Sequence, residues 1–283
     1  MSPVNPVLVT GATGNVGREV ARALRQQGTP VRLALREPHR EPNGTEGVRF
    51  DFNDPASFAS ALSGVKRVFL MRPQPLLNVK RTLNRFLDAC AAEGVEHCVF
   101  LSVAGAAKNP MVPHHGVEQH LFGGPVPWTI LRPAFFVQNL KDSYRADIRE
   151  GRLVLPAGHA RVAYVDTADL GDVAALAFND PATHVGQAYH LTGSDSLSFD
   201  EIAAMLTQIL GRPVAYHAAS LLGFWRHCSR RGIALVPTLA YTIIHATLRG
   251  GGGAALDPTM ARLLGRAPRT VEQFIENNRA LWA

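Results

Sequence analysis

One segment near the start constrains this chain more than any other: Val7-Leu8-Val9-Thr10, followed by Gly11-Ala12-Thr13-Gly14-Asn15-Val16-Gly17. A short apolar run, suited to a buried strand, enters a turn with glycine at every third place. It then continues into residues whose apolar members, Val16, Val20 and Leu24, recur at helical spacing. Gly11 permits a tight exit from the strand. Gly14 removes the side chain that would stand over the helix N-terminus, and Gly17 lets helix and strand approach closely. A helix N-terminus of this kind holds an anion through backbone N–H groups and the helix dipole. The segment therefore predicts a pyrophosphate-binding turn, with Gly11, Thr13, Gly14, Asn15 and Val16 as dinucleotide contacts. A glycine-rich turn without a ligand is the plainer alternative.

The end of the next strand, Val31–Leu35, reports on the ribose. An acidic residue there would bind a 2′-hydroxyl, whereas this chain has Arg36, with His39 and Arg40 nearby. A guanidinium suits a 2′-phosphate through paired charge-assisted hydrogen bonds, so the cofactor expected is NADP(H). Asp51 and Phe52 close the third strand, Val48–Phe52, where an adenine would lie; Asp51 would equally suit a helix-initiating turn. The alternation continues with a helix over 56–62, a strand over 67–71, a helix over 78–93, a strand over 98–102, a helix over 114–122 and a strand over 128–131. Met71 and Arg72 follow the fourth strand and should border the cofactor. The pattern predicts an α/β fold: a Rossmann doubly wound parallel sheet with a smaller, mainly helical C-terminal substrate lobe. Residues 1–155 are assigned to the NADP-binding domain, with a late strand near 188–192 returning to the sheet, and residues 156–283 mostly to the lobe. After Pro133 the rhythm changes: short strands are expected near 153–155, 161–165 and 213–217, helices over 169–178 and 198–210, and a loop at Gly250–Gly253.

No apolar stretch suits a signal peptide or a membrane span, and the three cysteines show no metal or redox spacing, so a cytoplasmic protein is expected. The formal net charge of +6 is unevenly placed. Residues 1–211 balance, whereas residues 212–283 carry nine arginines, no lysine and three acids, and so hold the whole excess. A solvated basic surface is one reading; attraction for an anionic substrate, a cofactor phosphate or a membrane surface is the other. The arginines are not interleaved with aromatics, so nucleic-acid binding is not expected. No metal-ligand pattern is present either.

These residues resemble the NmrA-like group of atypical short-chain dehydrogenase/reductases. The likeness rests on the glycine turn, Arg36, Asp51-Phe52-Asn53-Asp54 and His114-His115-Gly116-Val117-Glu118. It extends through Thr129–Asn139, Val165–Asp169, Tyr189–Gly193 and Arg269–Phe274. The resemblance implies a Rossmann domain with a small lobe over the nicotinamide. It also implies either an NADPH-dependent reductase of quinones, dyes or natural products, or a dinucleotide-binding regulator.

Ordinary short-chain dehydrogenases use a Tyr-x-x-x-Lys pair and a Ser. Ser102, ending the fifth strand, stands where that Ser would be expected. The pair is missing: His114 occupies the Lys place, the Tyr place falls near Pro110, and no tyrosine lies between Ser102 and Tyr144. Either the substrate is electron-poor enough to take hydride without a strong acid, or His114 donates the proton. A further alternative for His114 is a helix-start residue touching the nicotinamide ribose. Phe135 and Phe136 are candidates for the pocket wall. Leu221, Phe224, Trp225, Tyr241 and Ile244 are candidates for a lobe lining that would suit a bulky hydrophobic substrate; core packing is the alternative for all of them. The expected function is an NADPH-dependent oxidoreductase acting on a hydrophobic, electron-poor small molecule, as a monomer or homodimer. The alternative is an NADP(H)-sensing regulator without turnover.

Overall fold

The opening apolar run is a strand, β1 (Val7–Val9), and α1 (Asn15–Gln26) follows its turn. Next come β2 (Val31–Leu35), β3 (Gly47–Arg49), α2 (Ala56–Leu62), β4 (Arg67–Met71) and α3 (Leu83–Ala92). β5 (His97–Leu101), α4 (Pro113–Gly123) and β6 (Trp128–Pro133) complete the first stretch. The structure, a computed structural model, describes residues 5–38, 47–73 and 76–283; His39 and Arg40 lie outside the described residues. The predicted helix over 78–93 is divided: Thr82, at φ −120° and ψ −90°, separates a single 3₁₀ turn from α3.

The chain then leaves the sheet through β7 (Phe135–Phe136), α5 (Arg145–Arg149), β8 (Arg152–Leu155) and β9 (Arg161–Val165). It returns through α6 (Thr167–Asn179), α7 (Pro181–His184) and β10 (Gln187–Leu191). β10 pairs with β6 in a parallel seven-stranded sheet of order β10-β6-β5-β4-β1-β2-β3. The late strand is thus where the sequence places it, and the Rossmann order is complete.

Two compact units result, Met1–Pro133 with Thr167–Leu191, and Ala134–Asp166 with Thr192–Ala283. The division expected at residue 155 is therefore corrected. Strand pairing decides it: Phe135 pairs with Tyr164 and Phe136 with Val165, which takes residues 134–166 into the second unit. α6, expected in the lobe, instead lies against α1. A Cβ on Gly171 would stand 2.6 Å from the Glu19 backbone, a spacing only glycine allows. Arg22 joins Asp172 across that contact at 2.8 Å.

On the other sheet face, α2 and α3 cover an aromatic cluster of Phe50, Phe52, Phe58 and Phe86, whose ring centroids lie 4.8–5.7 Å apart. Removing each ring from water contributes about 2 kcal/mol.

The second unit adds β11 (Ser196–Ser198), α8 (Phe199–Leu210), β12 (Ala215–Ala218), α9 (Leu221–Arg230), α10 (Leu235–Arg249), α11 (Thr259–Leu264) and α12 (Val271–Asn277). It carries a three-stranded sheet, β11-β9-β7, and a β12-β8 pair. Its core gathers Phe135, Tyr144, Tyr164, Phe199, Tyr216, Phe224 and Trp282. α8 starts at a reciprocal capping box between Ser198 and Glu201, and α12 at one between Thr270 and Gln273. Among the described residues, no helix is long and apolar enough to cross a membrane.

Candidate functional site

The glycine turn sits at the carboxyl edge of the parallel sheet, and its geometry requires glycine. Gly11 has φ +61°, and a Cβ there would stand 2.3 Å from Met71 Sδ. A Cβ on Gly17 would stand 2.3 Å from the Gly11 carbonyl oxygen, so α1 approaches β1 only because that atom is missing. Thr10 fixes the turn from behind. Its hydroxyl donates to the Phe69 carbonyl (3.0 Å) and accepts from the Met71 N–H (2.9 Å), joining the ends of β1 and β4.

Gly14 is the N-cap of α1 in extended conformation. It contributes no side-chain cap, and the first turn has no acid. That leaves the positive end of the helix dipole open to an anion. Thr13 is exposed, Gly14 and Asn15 are partly so, and Val16 is buried, so Val16 can serve a ligand only through its backbone. Arg18, which sequence reasoning missed, reaches back to donate to the Thr13 carbonyl at 3.1 Å and places a cation beside the turn. Its signal was its place one turn after Gly14.

Arg36 directly follows β2 and is exposed. β2 and β3 pair Leu35 with Arg49, so Arg36 and Asp51 stand at neighbouring strand ends. The Asp51 Oδ1 accepts from the Asn53 backbone N–H (2.8 Å) and side-chain Nδ2 (3.2 Å), which is the turn role open to it from sequence. The Phe52 ring is buried in the aromatic cluster, packed edge-on against Phe50 and Phe86. As a cofactor contact through its side chain, Phe52 is therefore corrected: alternation along the strand end turns it into the core.

At the ends of β4 and β5 the polar groups are more buried. Arg72 donates through Nη1 to the Leu76 carbonyl at 2.8 Å, while its Nε is buried with no partner among the described residues. Burial lowers its affinity for a proton. His114, in the first turn of α4, lies 6.2 Å from the Phe100 ring, and its Nδ1 is likewise buried with no partner among the described residues. Burial, and then the neighbouring Arg72 charge, push its pKa down to about 4. Burial thus favours the neutral imidazole at pH 7, which weighs against a proton donor tuned near neutrality.

Ser102 is also corrected as a candidate for orienting a substrate carbonyl. It is 1% exposed, and its hydroxyl donates to Glu118 Oε1 at 2.5 Å. Glu118, fully buried, also receives Arg132 through Nε (3.0 Å) and Nη2 (2.7 Å). This network ties α4 to β5 and β6 and so positions His114. Glu118 and Arg132 were visible in the sequence only as parts of longer motifs.

In the second unit, Phe135 is half-buried, with Tyr164 edge-on at 5.7 Å, and Phe136 is half-buried beside it. Phe224 is 4% exposed and packs 6.1 Å from His245, so it belongs to that unit's core and is not available to a substrate. Trp225, its neighbour, is 36% exposed and donates from Nε1 to Thr242 Oγ1 at 3.0 Å. Among the described residues no three side chains of metal-ligating type gather in one place.

Known proteins share this architecture over the whole length. The NAD(P)H azoreductase of Xenophilus azovorans is 30% identical over 97% of this chain and 98% of its own. The triphenylmethane reductase of a Citrobacter species, solved with NADP(H), superimposes with a TM-score of 0.85 at 22% identity, covering 96% of this chain and 99% of that one. The Escherichia coli quinone oxidoreductase QOR2, solved with NADPH, gives 0.84 at 24% identity, with coverage of 96% and 99%. The profile of the NmrA-like family matches residues 4–236, from the strand before the glycine turn into α10, and on that match this chain belongs to the NmrA-like family.

Proposed function

We propose that this protein is an NADPH-dependent oxidoreductase that reduces a hydrophobic, electron-poor small molecule of the quinone, imine or dye class. The observation that carries the reading is the open, glycine-walled N-terminus of α1 on the sheet edge that also holds two buried polar atoms with no partner among the described residues, Arg72 Nε and His114 Nδ1. Those groups fit a dinucleotide: an anion for the helix end, and polar partners for the buried atoms. The azoreductase relative supports the substrate class.

In this reading the backbone of Gly11 and Thr13–Val16 holds the pyrophosphate, and Arg18 adds charge there. Arg36 grips the 2′-phosphate, and Asp51 accepts from the adenine amino group through Oδ2. Bound NADPH supplies a hydride. Arg72 and His114 orient the reactive end by hydrogen bonds, and Met71 walls the turn. Because His114 is neutral near pH 7, the acceptor must be polarised already, and the balancing proton comes from solvent. We assign substrate choice to Phe135, Phe136 and Trp225 of the second unit. The three free cysteines are buried, which supports a reducing, cytoplasmic setting. Monomer or homodimer suits the site equally.

The test is NADPH oxidation, followed by absorbance, across quinones, iminium compounds, azo dyes and triphenylmethane dyes, beside simple ketones. Turnover of the electron-poor acceptors with ketones inert is expected. Tight NADPH binding with every acceptor inert would replace this reading with that of a dinucleotide-sensing regulator.

A further inference from the structure

The α9–α10 hairpin is built the wrong way out for a helix pair that only covers a core. The inward positions of α10 are Thr238 and His245, 3% and 1% exposed, with Leu248. Half-buried Tyr241 and Thr242 accompany them. Its solvent side carries Leu235 (65% exposed), Val236 (66%), Leu239 (48%) and Ile243 (58%). Residues 235, 239 and 243 recur at i and i+4, so they form one stripe along the helix. On α9, Leu221, Leu222 and Trp225 are exposed while Phe224 and Cys228 point inward. The Trp225–Thr242 hydrogen bond sets the α9 apolar edge beside the α10 stripe. Contiguous solvent-facing apolar side chains of this kind mark an interaction surface.

Charge identifies the occupant. Residues 202–256 contain no Asp or Glu and five arginines: Arg212, Arg226, Arg230, Arg231 and Arg249. Arg226 and Arg230 continue the helical row begun by Leu222, at i+4 and i+8, and both are exposed. Asp147 of α5 and Glu150 directly after it reach the hairpin and are taken up by His227 and Arg231. An apolar stripe bordered by arginines, with no free acid on its own segment, matches a surface that is apolar inside and anionic at its rim. A second copy of the same hairpin would bring arginines against arginines.

We propose that the α9–α10 hairpin docks on an anionic lipid bilayer. The stripe 235/236/239/243 enters the acyl boundary, while Arg226, Arg230 and Arg249 meet phosphate headgroups. The proposal does not rest on the reductase reading and is tested without turnover. The full chain is sedimented with phosphatidylcholine vesicles and with vesicles in which about a quarter of the lipid is phosphatidylglycerol. Binding at least about tenfold stronger to the anionic vesicles, weakened by roughly 0.5 M salt, is expected. L239S/I243S and R226Q/R230Q should each lose about tenfold, with far-UV spectra and melting unchanged because all four positions are exposed. Brominated lipid should quench Trp225, and a W225F control should lose that quenching. Equal and negligible binding to both vesicles would overturn the proposal. So would a dimer in sedimentation velocity that L239S/I243S dissolves, which would assign the stripe to a second copy.

Discussion

Replacing His114 with Phe separates the two routes by which a site lacking Tyr and Lys can deliver hydride. Burial and Arg72 hold the imidazole at a pKa of about 4, so at pH 7 only about one molecule in 10³ carries the extra proton. General acid help is typically worth 10²–10⁴-fold, and a donor populated at that level retains little of it. The aromatic replacement preserves the packing against Phe100. H114F should therefore lose less than about tenfold in kcat/KM on quinones. The unmodified protein should show a flat kcat/KM between about pH 6 and 8, because a group titrating near 4 is already neutral throughout that window. Steady-state rates are measured at each pH, with the NADPH dissociation constant determined for both proteins. A thousandfold loss with NADPH affinity unchanged would refute the reasoning. An alkaline limb with an apparent pKa near 6–7 that disappears in H114F would do the same.

Arg36→Ala should weaken NADPH binding by about 1.5–3 kcal/mol, or roughly 10- to 150-fold, and leave NADH nearly untouched, since the guanidinium is exposed and partly screened; calorimetric titration of both cofactors decides, and equal affinities in the unmodified protein would shift the ribose contact to the carboxylate one residue later in the sequence, Glu37. Gly17→Ala drives a methyl into the Gly11 carbonyl 2.3 Å away, so dinucleotide binding should fall at least tenfold or the first unit should melt earlier, which binding and calorimetry both report. Glu118→Gln keeps one acceptor oxygen for Ser102 and Arg132 Nε but removes the negative charge and the second oxygen that receives Arg132 Nη2, and should cost about 3 kcal/mol of stability, read from urea unfolding, whereas a loss below about 1 kcal/mol would show the ion pair to be incidental. His97, His114 and His245 are all held near 4 by burial. The unfolded chain binds more protons than the folded one between about pH 6.5 and 4, so stability is fully present above that window and lost as pH falls through it, by about 3 kcal/mol per histidine at most. Urea unfolding at pH 7 and pH 5 should show that fall, and equal stability would contradict it.

Much of the first unit was legible because its determinants are local. Gly17 is required by the Gly11 carbonyl six residues earlier, Gly11 by its own positive φ at the strand exit, and Arg36 follows its strand directly, so a pattern of neighbours reveals all three. The alternation of apolar runs and helical periods likewise specified the parallel sheet, whose central strands β1, β4 and β5 are apolar runs buried on both faces, whereas β10 lies at the sheet edge and is half exposed. What stayed hidden depends on partners distant in the chain. Ser102 meets Glu118 sixteen positions later, and Arg132 joins them only after β6 lies beside β5. That His114 is neutral, not tuned near pH 7, is decided by burial and by Arg72, forty-two positions away, and no local pattern encodes it. Phe52 and Phe224 have the composition of ligand contacts, yet tertiary packing turns their rings inward. The placement of residues 134–155 was settled by the pairing of β7 with β9, and the exposure of the α10 apolar stripe by which face His245 and Thr238 bury. The sequence by itself determined where the glycine turn opens a helix and which segments alternate as strand and helix, because those depend on neighbouring residues. Only the tertiary structure decided which side chains face solvent, which are ionised and which are spent holding the fold, because burial and long-range pairing exist only once the chain has closed on itself.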